Sequence, residues 1–162
     1  MTVPEIEQPR QAKLTVITSA GRSEAHPLLV GTDFPLIREQ EPNDGFHQAQ
    51  PIASSQAIVG TTQADRDVDV FVLDGSPGDS VEVEVLAVPF GSALDSILTV
   101  YDASGNIIKA NDDADLKSES PGSDSVLKFE IGQTGRFYIC LQDAHDRGGP
   151  AHPWLINVRT TR

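Results

Sequence analysis

The sequence is short of cysteine, aromatic residues and basic charge, and each shortage narrows what the chain can be. A single cysteine, Cys140, rules out an internal disulfide, and no Cys/His spacing suits zinc, so any bound metal must be held by oxygen. No stretch of eighteen apolar residues occurs, so no transmembrane helix is expected. The opening Met1-Thr2-Val3-Pro4-Glu5 has neither the basic nor the apolar part of a signal peptide. Twelve Lys and Arg against 24 Asp and Glu give a formal net charge of -12, which repels phosphate backbones and makes nucleic acid and anionic membranes poor candidates as partners. Aromatic residues make up 6% of the chain and apolar residues 38%, enough for one modest core in 162 residues with some chain left over.

What is abundant is alternation. In Ser80-Val81-Glu82-Val83-Glu84-Val85 the valines fall on one face and the glutamates on the other, the period of a half-buried strand. The same pattern marks residues 68–73, 97–101, 125–130, 137–141 and 154–158, and more weakly 13–18 and 57–60. Gly-, Pro- and Asp-rich turns separate these runs, among them Asp74-Gly75-Ser76-Pro77-Gly78-Asp79 and Gly132-Gln133-Thr134-Gly135. The chain is therefore expected to be all-β, an antiparallel sandwich or barrel. Residues 1–12 lack pattern and read as a flexible tail. A turn or two of helix, capped by Asn43 or Asp44, is expected over residues 43–50.

The acidic residues gather in five places: Glu39, Glu41, Asn43 and Asp44; Asp65, Asp67 and Asp69; Asp95; Asn111, Asp112, Asp113 and Asp115; and Asp143 with Asp146. Calcium takes six to eight oxygen ligands from such groups. Composition alone favours a plainer role, since Asp and Asn fill turns and acidic strand faces usually meet water. One detail weighs against that reading. Asp67 and Asp69 share a strand face with Phe71 and Leu73, and acids beside an apolar surface are easier to accommodate if a cation compensates them.

Several segments together resemble the bacterial pre-peptidase C-terminal domain, which is related to the collagen-binding domains of clostridial collagenases. They are Glu41-Pro42-Asn43-Asp44 with Ala49, Gly60 with Asp67-Val68-Asp69-Val70-Phe71, and Leu94-Asp95-Ser96-Ile97-Leu98-Thr99-Val100-Tyr101-Asp102 with Gly105 and Asn111-Asp112-Asp113. Thr134-Gly135-Arg136-Phe137-Tyr138-Ile139 and a final strand around Trp154 to Val158 complete the series. The resemblance implies a jelly-roll-like sandwich of about eight or nine strands over residues 39–162, without catalytic machinery. It also implies a calcium site in which an E-x-E-x-N-D linker, matched by Glu39, Glu41, Asn43 and Asp44, joins acids of a following strand, here Asp65, Asp67 and Asp69 at a spacing that departs from the relatives. Asp95 with Asn111, Asp112, Asp113 and one of Asp143 or Asp146 is a weaker second candidate. Residues 1–38 fall outside the resemblance as an N-terminal extension, and 13–38 resemble the closing strands of a preceding immunoglobulin-like domain.

The expected role is that of an accessory module of a secreted or cell-surface protein, contacting other domains of its parent and serving stability, spacing or attachment to an extracellular protein or polysaccharide. The competing role is a carbohydrate- or protein-binding module that uses Trp154, Tyr101 and Tyr138 on an exposed face, without structural calcium. Those aromatics fill a core more often than they line a binding face. Catalysis is not expected: His26, His47, His145 and His152 sit in no recognised triad setting, there is no G-x-S-x-G elbow, and Cys140 follows a strand pattern.

Overall fold

In a computed structural model describing residues 10–30, 34–113 and 124–162, the alternating segments become the strands of two packed sheets. Four short strands come first: β1 (Arg10–Leu14), β2 (Ile17–Thr18), β3 (Gly21–Arg22) and β4 (His26–Val30). They form two nested antiparallel pairs, β1 with β4 and β2 with β3. The tail expected over residues 1–12 lies outside the described residues up to position 9, and β1 takes up the chain from Arg10.

The sandwich follows. Its strands are β5 (Leu36–Arg38), β6 (Gln50–Pro51), β7 (Gln56–Thr61), β8 (Val68–Gly75) and β9 (Ser80–Leu86). After a 3-10 turn at Val88–Phe90 come β10 (Ser96–Tyr101), β11 (Ile107–Asn111), β12 (Val126–Glu130), β13 (Gly135–Asp143) and β14 (Pro153–Thr161). One sheet has the order β11-β10-β13-β8-β6 and the other β12-β9-β14-β7-β5. Pairing is antiparallel throughout except at one edge of each sheet, where β5 runs parallel to β7 and β6 parallel to β8. The sheets are thus mixed, where a purely antiparallel sandwich was expected. Among the described residues no helix is long and apolar enough to cross a membrane.

Alternation decides which residues meet between the sheets. Val81, Val83 and Val85 of β9 are fully buried while Glu82 points out, and Phe71 and Leu73 of β8, Leu98 and Val100 of β10, Ile139 and Leu141 of β13, and Trp154, Ile156 and Val158 of β14 complete the interior. Trp154 packs its edge on Phe71, with ring centres 5.9 Å apart. Turn acids serve the connections. Asp102 accepts hydrogen bonds from the N–H groups of Ser104 and Asn106 and from the Asn106 amide, closing the β10–β11 turn around Gly105 at φ 83°.

The two parallel edge strands matter for the site. β5 edges one sheet and β6 the other, so residues 39–49 cross from sheet to sheet at one side of the sandwich. The helix expected over residues 43–50 does not form. The Asn43 carbonyl accepts the N–H of Val70 at 3.1 Å, and the Asn43 N–H is taken by the Glu41 side chain, so neither group is free to start a helix. The segment makes a turn instead, with Gln48 N–H on Gly45 C=O. Its neck is closed by the buried Gln50, whose side chain accepts from Gln40 N–H at 2.7 Å and donates to Arg38 C=O at 3.0 Å.

Candidate metal centre

Asp69 belongs by its alternation to the interior: it stands on the same face of β8 as Phe71 and Leu73 and is fully buried. Among the described residues neither of its carboxylate oxygens has a hydrogen-bond partner within normal geometry. Glu39, leaving β5, reaches it from the other sheet. Their oxygens come within 4.8 Å of each other, and any hydrogen bond between them needs a proton on one of the two. Burial, first, and then that contact together with the charges of Glu39, Asp67 and Glu41 push the Asp69 carboxyl up to about 10.

Glu39 is positioned by backbone. Its N–H donates to Val59 C=O at 3.0 Å, its Oε2 accepts from Thr61 N–H at 3.1 Å, and its Oε1 accepts from Asn43 Nδ2 at 3.4 Å. The approach depends on Gly60, because a Cβ there would lie 2.5 Å from Glu39 Oε2 and 2.4 Å from Trp154 Cζ2. Glu41 is exposed, and its Oε2 accepts from Asn43 N–H at 2.9 Å. Its pKa is raised by partial burial and by the charges of Asp67, Glu39 and Asp44, against the Asn43 hydrogen bond. Asn43 is fully buried, and its Oδ1 has no donor.

One oxygen each of Glu39, Glu41 and Asp69 lies within 4.8 Å of the others, and this is the group of three such ligand atoms found among the described residues. Asn43 is tied to the group by the bond from its Nδ2 to Glu39, and its buried Oδ1 is left without a donor. Asp67 and Asp44 contribute charge to the group; the Asp67 carboxylate also accepts the Gln63 N–H at 2.5 Å. Asp65 turns to the adjoining loop, accepting Gly148 N–H at 3.3 Å.

The other acids do other work. The buried Asp143 accepts from the N–H groups of Asp95, His145 and Arg147 at 2.9–3.0 Å. Burial opposes its ionisation, but these donors and the charge of His152 outweigh it and hold the carboxyl below its usual range. Asp95 Oδ2 lies 3.4 Å from His145 Nδ1. Asn111 Oδ1 accepts Val126 N–H, Asp112 offers its carbonyl to Ser125 Oγ, and the side chains of Asp112 and Asp113 are exposed. Asp146 accepts Arg66 N–H through its carbonyl, and Asp115 lies outside the described residues. Among the described residues, Asp95, Asp112 and Asp113 join no group of three ligands.

Three residues that shape the site carry little signal in sequence. Gln50 closes the loop neck, Gly60 makes room for Glu39, and Phe46 leaves the loop to stack on Tyr138. An isolated aromatic between Gly45 and His47 in a polar segment is the one cue the sequence offers for Phe46.

An oxygen-only cluster with orphaned buried oxygens has the chemistry of a hard-cation site, and the donors present fit such an ion. Comparison with known proteins bears on the fold. Residues 67–143 match the family described as bacterial pre-peptidase C-terminal domain. Over 135 residues, 78% of this chain, the sequence is 33% identical to a probable subtilase-type serine protease of Deinococcus radiodurans, and it spans 18% of that protein's length. The pre-peptidase C-terminal domain of a collagenase from Bacillus anthracis superposes with a TM-score of 0.52 at 14% identity, covering 68% of this chain and 94% of that domain. PliG of Aeromonas hydrophila, a periplasmic inhibitor of g-type lysozyme, has the same TM-score and identity, covering 78% of this chain and 98% of its own. The segments that carry the resemblance, the two-sheet sandwich and the family match agree: residues 67–143 of the β-sandwich match the bacterial pre-peptidase C-terminal domain, and the sandwich has that domain's fold.

Proposed function

We propose that this domain is a non-catalytic accessory module of an exported multidomain protein, and that it holds a calcium ion with Glu39, Glu41, Asn43 and Asp69. The observation that carries the reading is Asp69, a fully buried carboxyl with no neutral or cationic donor, facing two further carboxyls. Burying acids at such proximity is unfavourable unless a proton or a cation compensates them. Calcium would displace the proton held by Asp69 and neutralise the charge. Because residues 39–49 bridge the edges of both sheets, an ion there would tie the sheets together where the chain enters the sandwich, and so set how residues 10–38 and any preceding domain join it. Asp67 and Asp44 add negative potential, and Asp65, Asp95, Asp112 and Asp113 serve loops.

The accessory role rests on the family match, and export on the association of such domains with proteases. Thermal melts of the chain in millimolar calcium and in EGTA test the ion: an ion-bound domain melts higher in calcium, and an unchanged midpoint overturns the reading. A carbohydrate- or protein-binding face is the second reading. Trp154 is 1% exposed and cannot contribute to it, so Phe46, Tyr101 and Tyr138, clustered on one outer sheet face, would have to.

A further inference from the structure

The chain touches the edge of β8 at Asn43, whose carbonyl bonds Val70 N–H, and returns to it at Gln50, opposite Phe71. Adjacent positions on β8 are thus met by residues seven apart in sequence, so residues 44–49 must leave the sheet edge. They pass over the outer face. Phe46 reaches past β8 to stack on Tyr138 of β13, with ring centres 4.2 Å apart and planes at 12°, and meets Tyr101 of β10 edge-on at 5.3 Å. Tyr101 and Tyr138 are register partners on that face.

Burial on the same face agrees. Val70 and Cys140 alternate with the interior residues Phe71, Ile139 and Leu141, so they point outward, yet they are only 1% and 7% exposed and lie outside the interior cluster. They are register partners beside Val72 and Tyr138. A small outer apolar patch therefore lies on the face that Phe46 reaches, opposite in direction to the acidic group that the same loop presents inward.

We propose that Phe46 is the positioning residue of the Glu39/Asp69 site: seated on Tyr101 and Tyr138, it holds residues 39–50 down so that Glu39, Glu41 and Asn43 stay presented to Asp69. The inference rests on the calcium reading given above. In the ion-free protein the like charges of Glu39, Glu41, Asp44 and Asp67 push this loop away from the sheet, and the aromatic contact opposes them. With the ion bound, attraction and aromatic packing act in the same direction. Each therefore strengthens the other, and the coupling is reciprocal: losing Phe46 weakens the ion, and losing the ion loosens the cover over Val70 and Cys140.

Calorimetric titration of calcium into the wild-type chain, Phe46→Ala and Phe46→Tyr gives one arm of the test. Phe46→Ala is expected to weaken binding by about 10-fold or more while Phe46→Tyr stays close to wild type. Wild-type binding with an equal affinity in Phe46→Ala overturns the coupling and leaves the ion site standing. No binding by the wild-type chain overturns the ion site and this inference together. The second arm needs no variant that could misfold: the rate at which iodoacetamide alkylates Cys140 in the wild-type chain, in calcium against EGTA. Slower alkylation in calcium is expected. An equal rate in a chain that binds calcium overturns the proposal.

Discussion

Glu39, just past β5, and Asp69 near the start of β8 bring carboxyl oxygens from opposite sheets within 4.8 Å of each other, and in that buried setting Asp69 keeps its proton, its pKa pushed up to about 10. Everything expected of this edge of the sandwich follows from what that proton is worth and what can replace it.

Stability without divalent ions should fall as pH rises. The folded-state pKa of Asp69 is raised to about 10 from an ordinary 3.8, so between those values the folded protein binds more protons than the unfolded chain. Its stability then declines with pH, by at most about 1.4 kcal/mol per unit for one proton, and levels off above the folded value. Urea unfolding in EGTA at pH 5, 6, 7 and 8 measures the slope. Asp69→Asn should flatten it, and a wild-type slope of the opposite sign would contradict the assignment.

The same substitution separates charge from shape at the ion site. Asp69→Asn keeps the volume and removes a carboxylate ligand, so the calcium-dependent rise in melting temperature should be lost while the EGTA melt stays at or above that of wild type. For wild type at about one hundred times the dissociation constant, the ion should add about 2.7 kcal/mol. A variant that still gains stability in calcium would place the ion elsewhere.

Gly60→Ala should harm both packing and binding. The added Cβ would meet Trp154 Cζ2 at 2.4 Å and Glu39 Oε2 at 2.5 Å, backing onto a buried ring and a ligand at once. A destabilisation of about 1–3 kcal/mol is expected in EGTA, with a weaker calcium response. Chemical denaturation and titration calorimetry report the two effects separately.

Asp143→Ala should lower stability by about 3 kcal/mol, since it strips an ionised, buried acceptor from three backbone donors, and calcium affinity should hardly change. Its carboxyl is held below the usual range, so the stability it adds is present above its unfolded pKa and is lost as pH falls through the folded value. Acid unfolding of the wild type and the variant should therefore converge at low pH.

Alanine at both Asp112 and Asp113 should leave calcium stoichiometry unchanged. Their side chains are exposed and, among the described residues, belong to no group of three ligands. A fall in stoichiometry would revive the second site that the run Asn111-Asp112-Asp113 suggests.

Most of the fold was legible because alternation is a local property. The expected segments 57–60, 68–73, 80–85, 97–101, 125–130, 137–141 and 154–158 each fall within or overlap a strand of the sandwich. β11 was missed, as four of its five residues are exposed and no alternating pattern marks it. β5 and β6 were missed because strands of three and two residues show no period, and they exist only through parallel pairing with distant β7 and β8. Of the aromatics named from sequence, Trp154 fills the core while Tyr101 and Tyr138 lie half-buried outside it, a division that period-two spacing cannot make without knowing which face turns inward.

By itself the sequence determined the all-β class, the strand faces and a stock of oxygen ligands with no alternative donor chemistry, since residue type and alternation act over a few neighbours. It also marked the oddity of Asp67 and Asp69 beside Phe71 and Leu73. The tertiary structure decided which acids meet. Asp69 is drawn into the group with Glu39 and Glu41 because β8 turns it inward and the 39–50 loop crosses between two sheet edges. The carboxylates of Asp65 and Asp143 are taken up by backbone donors of nearby loops instead. Proximity between residues thirty positions apart is set by strand pairing and sheet packing, and no local pattern encodes it.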